Sequence, residues 1–231
     1  TNYFVDTSAG RYVLTLFERL RFDELPFYLG LMQHLAAHGI PVPGPHAEPD
    51  GNILLNVKGK PAAMVDRLRG RHLMAPDAPH CASVGTMLAR LHAAAADFPM
   101  VQPNLRGLAW WVETVPTLLP FLTPGQRELI ECELAFQQQL AATPAHASLP
   151  KGAIHADLFR DNAMFDGDEL TGIFDFYFAG VDALLFVLLM LALGSASVGY
   201  TGKGDFSTDS EGKIRRRREG EPHPDGRGLE S

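Results

Sequence analysis

Cysteine is scarce in this chain, with Cys81 and Cys132 its two examples in 231 residues. Two isolated thiols, each in a stretch of helical pattern, make neither a disulfide framework nor a metal-ligand cluster, so the expected compartment is a reducing cytoplasm. Basic charge is not in excess: the formal net charge is −7, which argues against a nucleic-acid partner. The opening residues, Thr1-Asn2-Tyr3-Phe4-Val5, lack the basic segment and apolar run of a signal peptide. No apolar run reaches membrane length. The most apolar window, Ala183 to Leu193, is too short to span a bilayer and reads as a buried helix. There is no internal repeat. What remains is 46% hydrophobic and 20% charged, the balance of a globular protein able to bury its own core.

The order of elements follows from periodicity and breakers. Asn2 to Asp6 and Arg11 to Phe17 alternate as strands about the turn residues Thr7-Ser8-Ala9-Gly10. Asp23 to His38 has helical spacing, closed by Gly39. Asn52 to Val57 and Pro61 to Leu68 read as strands joined at Lys58-Gly59-Lys60. Helices follow over Cys81 to Ala96, Gly107 to Leu119, and from the capped start Thr123-Pro124-Gly125-Gln126 to about Ala142. Short strands return at Gly152 to Ile154, Asn162 to Phe165 and Leu170 to Phe174. Strands with one helix, then helices, then a small hairpin predict an α+β protein of two lobes with a cleft between them. Thr201 to Ser231 has almost no large apolar residues and is expected to be disordered.

The chemistry sits in Ile154-His155-Ala156-Asp157-Leu158-Phe159-Arg160-Asp161-Asn162 and in Ile173-Phe174-Asp175-Phe176. The first segment has the form H-x-D-x-x-x-x-N on a loop between strands, and a second aspartate ends the next hairpin. Phosphoryl transfer needs such an arrangement. Asp157 would accept the proton of an attacking hydroxyl. Asn162 and Asp175 would offer magnesium the hard oxygen ligands it prefers. His155 is expected to orient the loop rather than take protons. The plainer reading makes these residues solvated loop carboxylates, a turn residue and a helix cap.

His155 to Asn162 resembles the catalytic loop of the aminoglycoside phosphotransferase and choline kinase superfamily. Other segments resemble the bacterial homoserine kinases within it: Thr1 to Val5, Tyr12 to Glu18, Leu25 to Leu29, Gly39 to Pro43, Gly59 to Ala63 and Gly172 to Gly180. This resemblance, over about residues 1 to 186, implies a protein-kinase-like fold with an antiparallel-sheet N-lobe and a mainly helical C-lobe. It implies ATP-dependent phosphorylation of the L-homoserine hydroxyl, a step toward threonine. By the same motif match Asp157 is the base, Asn162 and Asp175 hold Mg2+, and adenine lies at the hinge near Val65, Asp66 and Leu68. A small-molecule substrate is implied, with no nucleic-acid or membrane partner.

Several positions depart from the family pattern. Thr15 falls where relatives often place a lysine or arginine, and Gly30 where many carry a helix glutamate. The upstream strand and glycine turn that cover the nucleotide phosphates are expected before Thr1. After Leu184-Leu185-Phe186 relatives place an aspartate and further helices, whereas Val187 and an apolar run follow here. The expected division is therefore a partial nucleotide-binding lobe over 1–68, an incomplete catalytic lobe over 69–200 and an atypical tail over 201–231. A shifted reading frame or a truncated gene would produce this change. The rival functions are a kinase of another small alcohol (aminoglycoside, choline or methylthioribose type) and a non-catalytic remnant. Arg215-Arg216-Arg217-Arg218 reads as a solvated run, His92 and His146 as surface or satisfied histidines, and Trp110 and Trp111 as one core and one half-exposed ring.

Overall fold

A computed structural model of the chain describes residues 1–186, 206–208 and 214–216. Alternating side chains set the first hairpin, in which β1 (Asn2–Asp6) pairs antiparallel with β2 (Arg11–Leu16), Asn2 opposite Thr15 and Asp6 opposite Arg11. Thr7 builds the turn: its Oγ1 accepts the Ala9 and Gly10 N–H groups at 3.1 and 3.2 Å. Next come α1 (Pro26–Ala37), β3 (Leu55–Val57) and β4 (Lys60–Asp66). The sheet is four-stranded, in the order β1-β2-β4-β3. Between β3 and β4 only Lys58 and Gly59 turn the chain, with φ of 52° and 83°, as a two-residue hairpin of matching twist requires.

The expected strand from Asn52 begins later, at Leu55. Asn52 accepts the Leu54 N–H at 3.2 Å and donates to the Leu54 carbonyl at 2.8 Å, a local turn that competes with strand pairing. Similarly α1 starts at Pro26 rather than Asp23. Asp23 is held instead by the Arg21 guanidinium at 3.0 Å, and Glu24 accepts the Arg21 N–H at 2.8 Å. Gly39, with φ 71°, ends α1 as expected. Its N–H reaches Ala36, that of Ile40 reaches Leu35, both at 3.0 Å, and the buried Ile40 side chain completes the cap.

Phe27, Tyr28, Leu29, Leu31, Met32 and Leu35 of α1 are buried. They join one core with Phe17, Ala63 and Val65 of the sheet side, with Met87 and Leu91, and with Ile173, Phe176 and Ala179. Each fully buried leucine or phenylalanine contributes about 1.5–3 kcal/mol. That core anchors the segment holding Asp175 against the sheet.

The helical part comprises α2 (Ala78–Ala94), α3 (Leu108–Leu118), α4 (Pro124–Ala141) and α5 (Pro144–Ala147). α2 begins upstream of the expected Cys81, because Asp77 accepts the His80 N–H at 3.1 Å as its N-cap. The Thr123 N–H donates to Gln126 Oε1 at 3.0 Å, as the sequence predicted. Trp110 is 39% exposed and Trp111 half-buried, so neither ring is the expected core residue.

Two small ladders follow. β5 (Lys151–Ile154) pairs antiparallel with β8 (Gly180–Ala183), and β6 (Ala163–Asp166) with β7 (Glu169–Ile173). Ala183 therefore ends a strand rather than opening the expected apolar helix, whose residues from Val187 lie outside the described ones. The chain divides into one unit over Thr1–Leu184 and a second over Leu185–Ser231. In the second, β9 (Phe206–Thr208) pairs antiparallel with β10 (Ile214–Arg216). The rest of the segment expected to be disordered lies outside the described residues. Among the described residues no helix is long and apolar enough to cross a membrane.

Candidate active site

β5 delivers the chain to His155, whose side chain is fully buried. The Asp157 N–H donates to His155 Nδ1 at 3.2 Å, and His155 Nε2 meets the Phe174 carbonyl at 2.8 Å. An acceptor on one ring nitrogen and a donor on the other define a neutral imidazole with its proton on Nε2. Burial holds its pKa down at about 4, against a smaller opposing effect of the Phe174 bond. The expected orienting role matches this geometry.

Asp157 and Asp175 stand on the two segments that His155 joins. Asn162 Nδ2 donates to the Asp157 carbonyl at 2.8 Å, and the Phe174 N–H donates to the Asn162 carbonyl at 3.0 Å. The loop and the end of the β6–β7 hairpin thus bring together Asp157, Asn162 and Asp175. Ala156 and Asp175 hold φ of 60° and 67°. Such left-handed backbone costs roughly 1–2 kcal/mol at a non-glycine residue, a strain of the kind found at functional sites.

The carboxylates disfavour one another. Burial raises the Asp157 pKa, and the charges of Asp175 and Asp161 raise it further; Arg106 and the Asn162 amide oppose them. Burial also raises Asp175, offset by the Tyr177 backbone N–H, with Asp161 adding to the rise. These are hard oxygen donors whose mutual repulsion a divalent cation would relieve. Asn162 commits its Nδ2 to the Asp157 carbonyl, so its Oδ1 is the atom left to offer a lone pair.

Arg106 was not among the expected site residues, and no motif marks it. Its guanidinium lies 5.0 Å from the Trp110 ring centroid and 4.7 Å from that of Phe178. The loop before it is pinned to β8: Asn104 Nδ2 donates to Asp182 Oδ2 at 2.8 Å, and the Arg106 N–H donates to Asn104 Oδ1 at 3.0 Å. Gly180 permits that approach, since a Cβ there would lie 2.8 Å from the Pro103 carbonyl.

Thr15, at the position where relatives often carry a cation, lies near the Tyr177 side chain. Tyr177 packs edge-on to Phe17 and Tyr28, at 5.0 and 6.0 Å between ring centroids. Burial, then the Asp175 charge, raise its pKa well above the ordinary value. Gly30 faces Phe98 and Met100, so no side chain of α1 reaches toward Thr15 from that position.

The expected hinge residues sit on β4 and on the segment that follows it. Val65 is buried in β4, and the Asp66 carboxylate accepts His46 Nε2 at 2.6 Å. Leu68 lies against Gly172, where a Cβ would come 2.8 Å from its side chain, and Thr171 Oγ1 donates to the Arg69 carbonyl at 2.6 Å. The segment after β4 therefore runs along the hairpin that bears Asn162 and Asp175 at its ends. His92 departs from expectation: its Nε2 is buried without a hydrogen-bond partner among the described residues.

Residues 1–205 match the phosphotransferase enzyme family. The chain belongs to that family. Within it, the chain is 64% identical over 186 residues to the homoserine kinase of Polaromonas naphthalenivorans, covering 80% of this chain and 59% of that protein. To the homoserine kinase of Janthinobacterium sp. it is 55% identical over 186 residues, covering 80% of this chain and 58% of that one. The chain thus spans less than two thirds of the length of these curated relatives.

Solved structures show the fold. An amicoumacin kinase superposes with a TM-score of 0.65 at 18% identity, over 87% of this chain and 64% of its own. The macrolide 2′-phosphotransferase of Brachybacterium faecium gives 0.58 at 18% identity, over 83% and 67%. The chain has the expected α+β, protein-kinase-like architecture, with its antiparallel sheet preceding the helices.

Proposed function

We propose that this chain carries the phosphoryl-transfer site of a homoserine kinase, which moves the γ-phosphoryl group of ATP to the side-chain hydroxyl of L-homoserine. The carrying observation is geometric: the neutral His155 ring bonds the Asp157 N–H at 3.2 Å and the Phe174 carbonyl at 2.8 Å. Asn162 bonds the Asp157 carbonyl at 2.8 Å, so the segments bearing Asp157, Asn162 and Asp175 are tied together. The acceptor assignment rests on the likeness to the homoserine kinases of Polaromonas and Janthinobacterium. The product, O-phospho-L-homoserine, lies on the route to threonine, and a reducing cytoplasm suits the reaction.

Asp157 takes the hydroxyl proton as the acceptor oxygen bonds to the γ-phosphorus and the bond to the departing ADP breaks. Its raised pKa makes it a stronger base than an exposed aspartate. The His155 bond to the Asp157 N–H fixes the backbone from which that carboxylate projects. Asn162 Oδ1 and the Asp175 carboxylate would hold Mg2+, which supplies charge neutralisation at the phosphates when bound. Val65 and Leu68 would offer an apolar wall to adenine, while the Asp66 carboxylate is engaged by His46.

The test is ATP consumption coupled to L-homoserine under magnesium, comparing the chain with its Asp157→Asn variant. Homoserine-dependent turnover that falls by about 10²–10⁴ in the variant is the expected result. Turnover with an aminoglycoside, choline or methylthioribose in place of homoserine would reassign the acceptor. A folded chain without turnover on any of them would overturn the reading for this chain and leave a non-catalytic remnant.

A further inference from the structure

His34 and His38 lie outside the site described above. His34 lies in the last turn of α1 and His38, four residues on, is its C-cap; the ring centroids are 4.2 Å apart. Asp97, in the turn after α2, meets them: its Oδ1 is 3.1 Å from His34 Nε2. Each of the three residues brings one ligating atom, and these atoms lie within 4.8 Å of one another.

We propose that His34, His38 and Asp97 form a binding site for a divalent transition-metal cation, zinc in particular. Two imidazole nitrogens and a carboxylate are a donor set zinc accepts, whereas magnesium and calcium favour oxygen throughout. His38 is already oriented for the task. Its Nδ1 meets the His34 carbonyl at 2.8 Å, which places the proton on Nδ1 and leaves Nε2 as a lone pair. Metal-binding histidines are held by such a bond to a backbone carbonyl.

His34 is poised differently. Its Nε2 meets the Ala94 carbonyl at 2.9 Å as well as Asp97, so the proton sits on Nε2. A neutral imidazole can carry that proton on Nδ1 instead. Ligation moves it there through solvent and puts the cation between His34 and Asp97, with no net proton gained or lost. The 3.1 Å gap between their ligating atoms is close to the edge of about 3.3 Å of a tetrahedron with arms of about 2.0 Å. Water completes the coordination, because His38 and Asp97 are exposed. His34 is firmer, packed 5.3 Å from the Phe98 ring. A loaded site would join α1 to the residues that follow α2.

The test is calorimetric titration of the whole chain with zinc chloride, in wild type and in His38→Ala, Asp97→Asn and His46→Ala variants. His38 and Asp97 are exposed, so both substitutions leave folding intact, checked by circular dichroism. The expected result is one zinc equivalent whose affinity falls at least about tenfold in His38→Ala and in Asp97→Asn, and is unchanged in His46→Ala. Zinc should also raise Tm in wild type but not in His38→Ala. No zinc binding, binding that survives both substitutions, or a loss in just one of them overturns the three-ligand site. The readouts are independent of kinase activity, so the inference stands or falls apart from the proposed function.

Discussion

The His155 ring donates to the Phe174 carbonyl across 2.8 Å, so one buried imidazole fastens the loop bearing Asp157 to the segment bearing Asp175. Its second nitrogen is already an acceptor for the Asp157 N–H. The ring can therefore carry a single proton. A second one would break the bond that places Asp157.

That limit makes stability depend on acid. The native pKa of about 4 lies below the ordinary histidine value, so between the two the unfolded chain binds more protons. Stability is lost as pH falls from about 6.5 toward 4, by up to about 3 kcal/mol. His155→Gln should lose this dependence. Its deficit in urea midpoint against wild type should be largest near pH 7.5 and shrink near pH 4.5; parallel pH profiles would refute the assignment.

For Asp157 and Asp175 the sign is opposite. Their native pKa values are raised, so the folded chain binds more protons above the ordinary carboxylate pKa. Stability falls as pH rises through that window and stays lower beyond it. Asp157→Asn should therefore raise Tm at pH 7.5 by about 1–3 °C, a small gain because the group is partly exposed, and leave it unchanged at pH 3. A lower Tm at pH 7.5 would show that the carboxylate is stabilising after all.

Arg106 opposes the rise in the Asp157 pKa. Arg106→Ala should push that pKa higher, and Arg106→Lys should restore most of the difference. A carbon-detected NMR titration of the Asp157 carboxyl reads both without substrate. No displacement in the alanine variant would remove Arg106 from the electrostatics of the site.

Gly180→Ala should cost about 1–3 kcal/mol, because the added methyl meets the backbone of Pro103 and Asn104. Gly125→Ala, with open space around it in α4, should be neutral or slightly stabilising. Urea midpoints compare the two, and equal effects would discount the close packing of Pro103 on β8.

What the sequence revealed followed from local causes. The alternation of Asn2 to Asp6, the Thr123–Gln126 cap and the Gly39 stop are each decided within a few residues, and all were legible. The loop from His155 to Asn162 was legible as a connection between two strands because polar and turn-forming residues fill one short segment. β8 was not: Gly180 to Ala183 becomes a strand through its partner β5, far back in the chain, and its last residue, Ala183, also opened an apolar window that reads as a helix. Asp77 hid the start of α2 because its partner His80 is an uncommon return residue for such a cap. The placing of Arg106 near Asp157, and of Asp97 beside His34, is tertiary and leaves no periodic trace.

The pairing of β2 with β4, Leu16 opposite Ala62, bears on how the chain acquires its shape. The β1–β2 and β3–β4 hairpins close over short turns, events of about 1–10 μs. Joining them requires the whole stretch containing α1 to be gathered first, an entropic toll that grows with the length enclosed. Docking of the two preformed hairpins across α1 is then the slow step of sheet assembly, and substitutions in the buried face of α1 should retard refolding more than those in either turn.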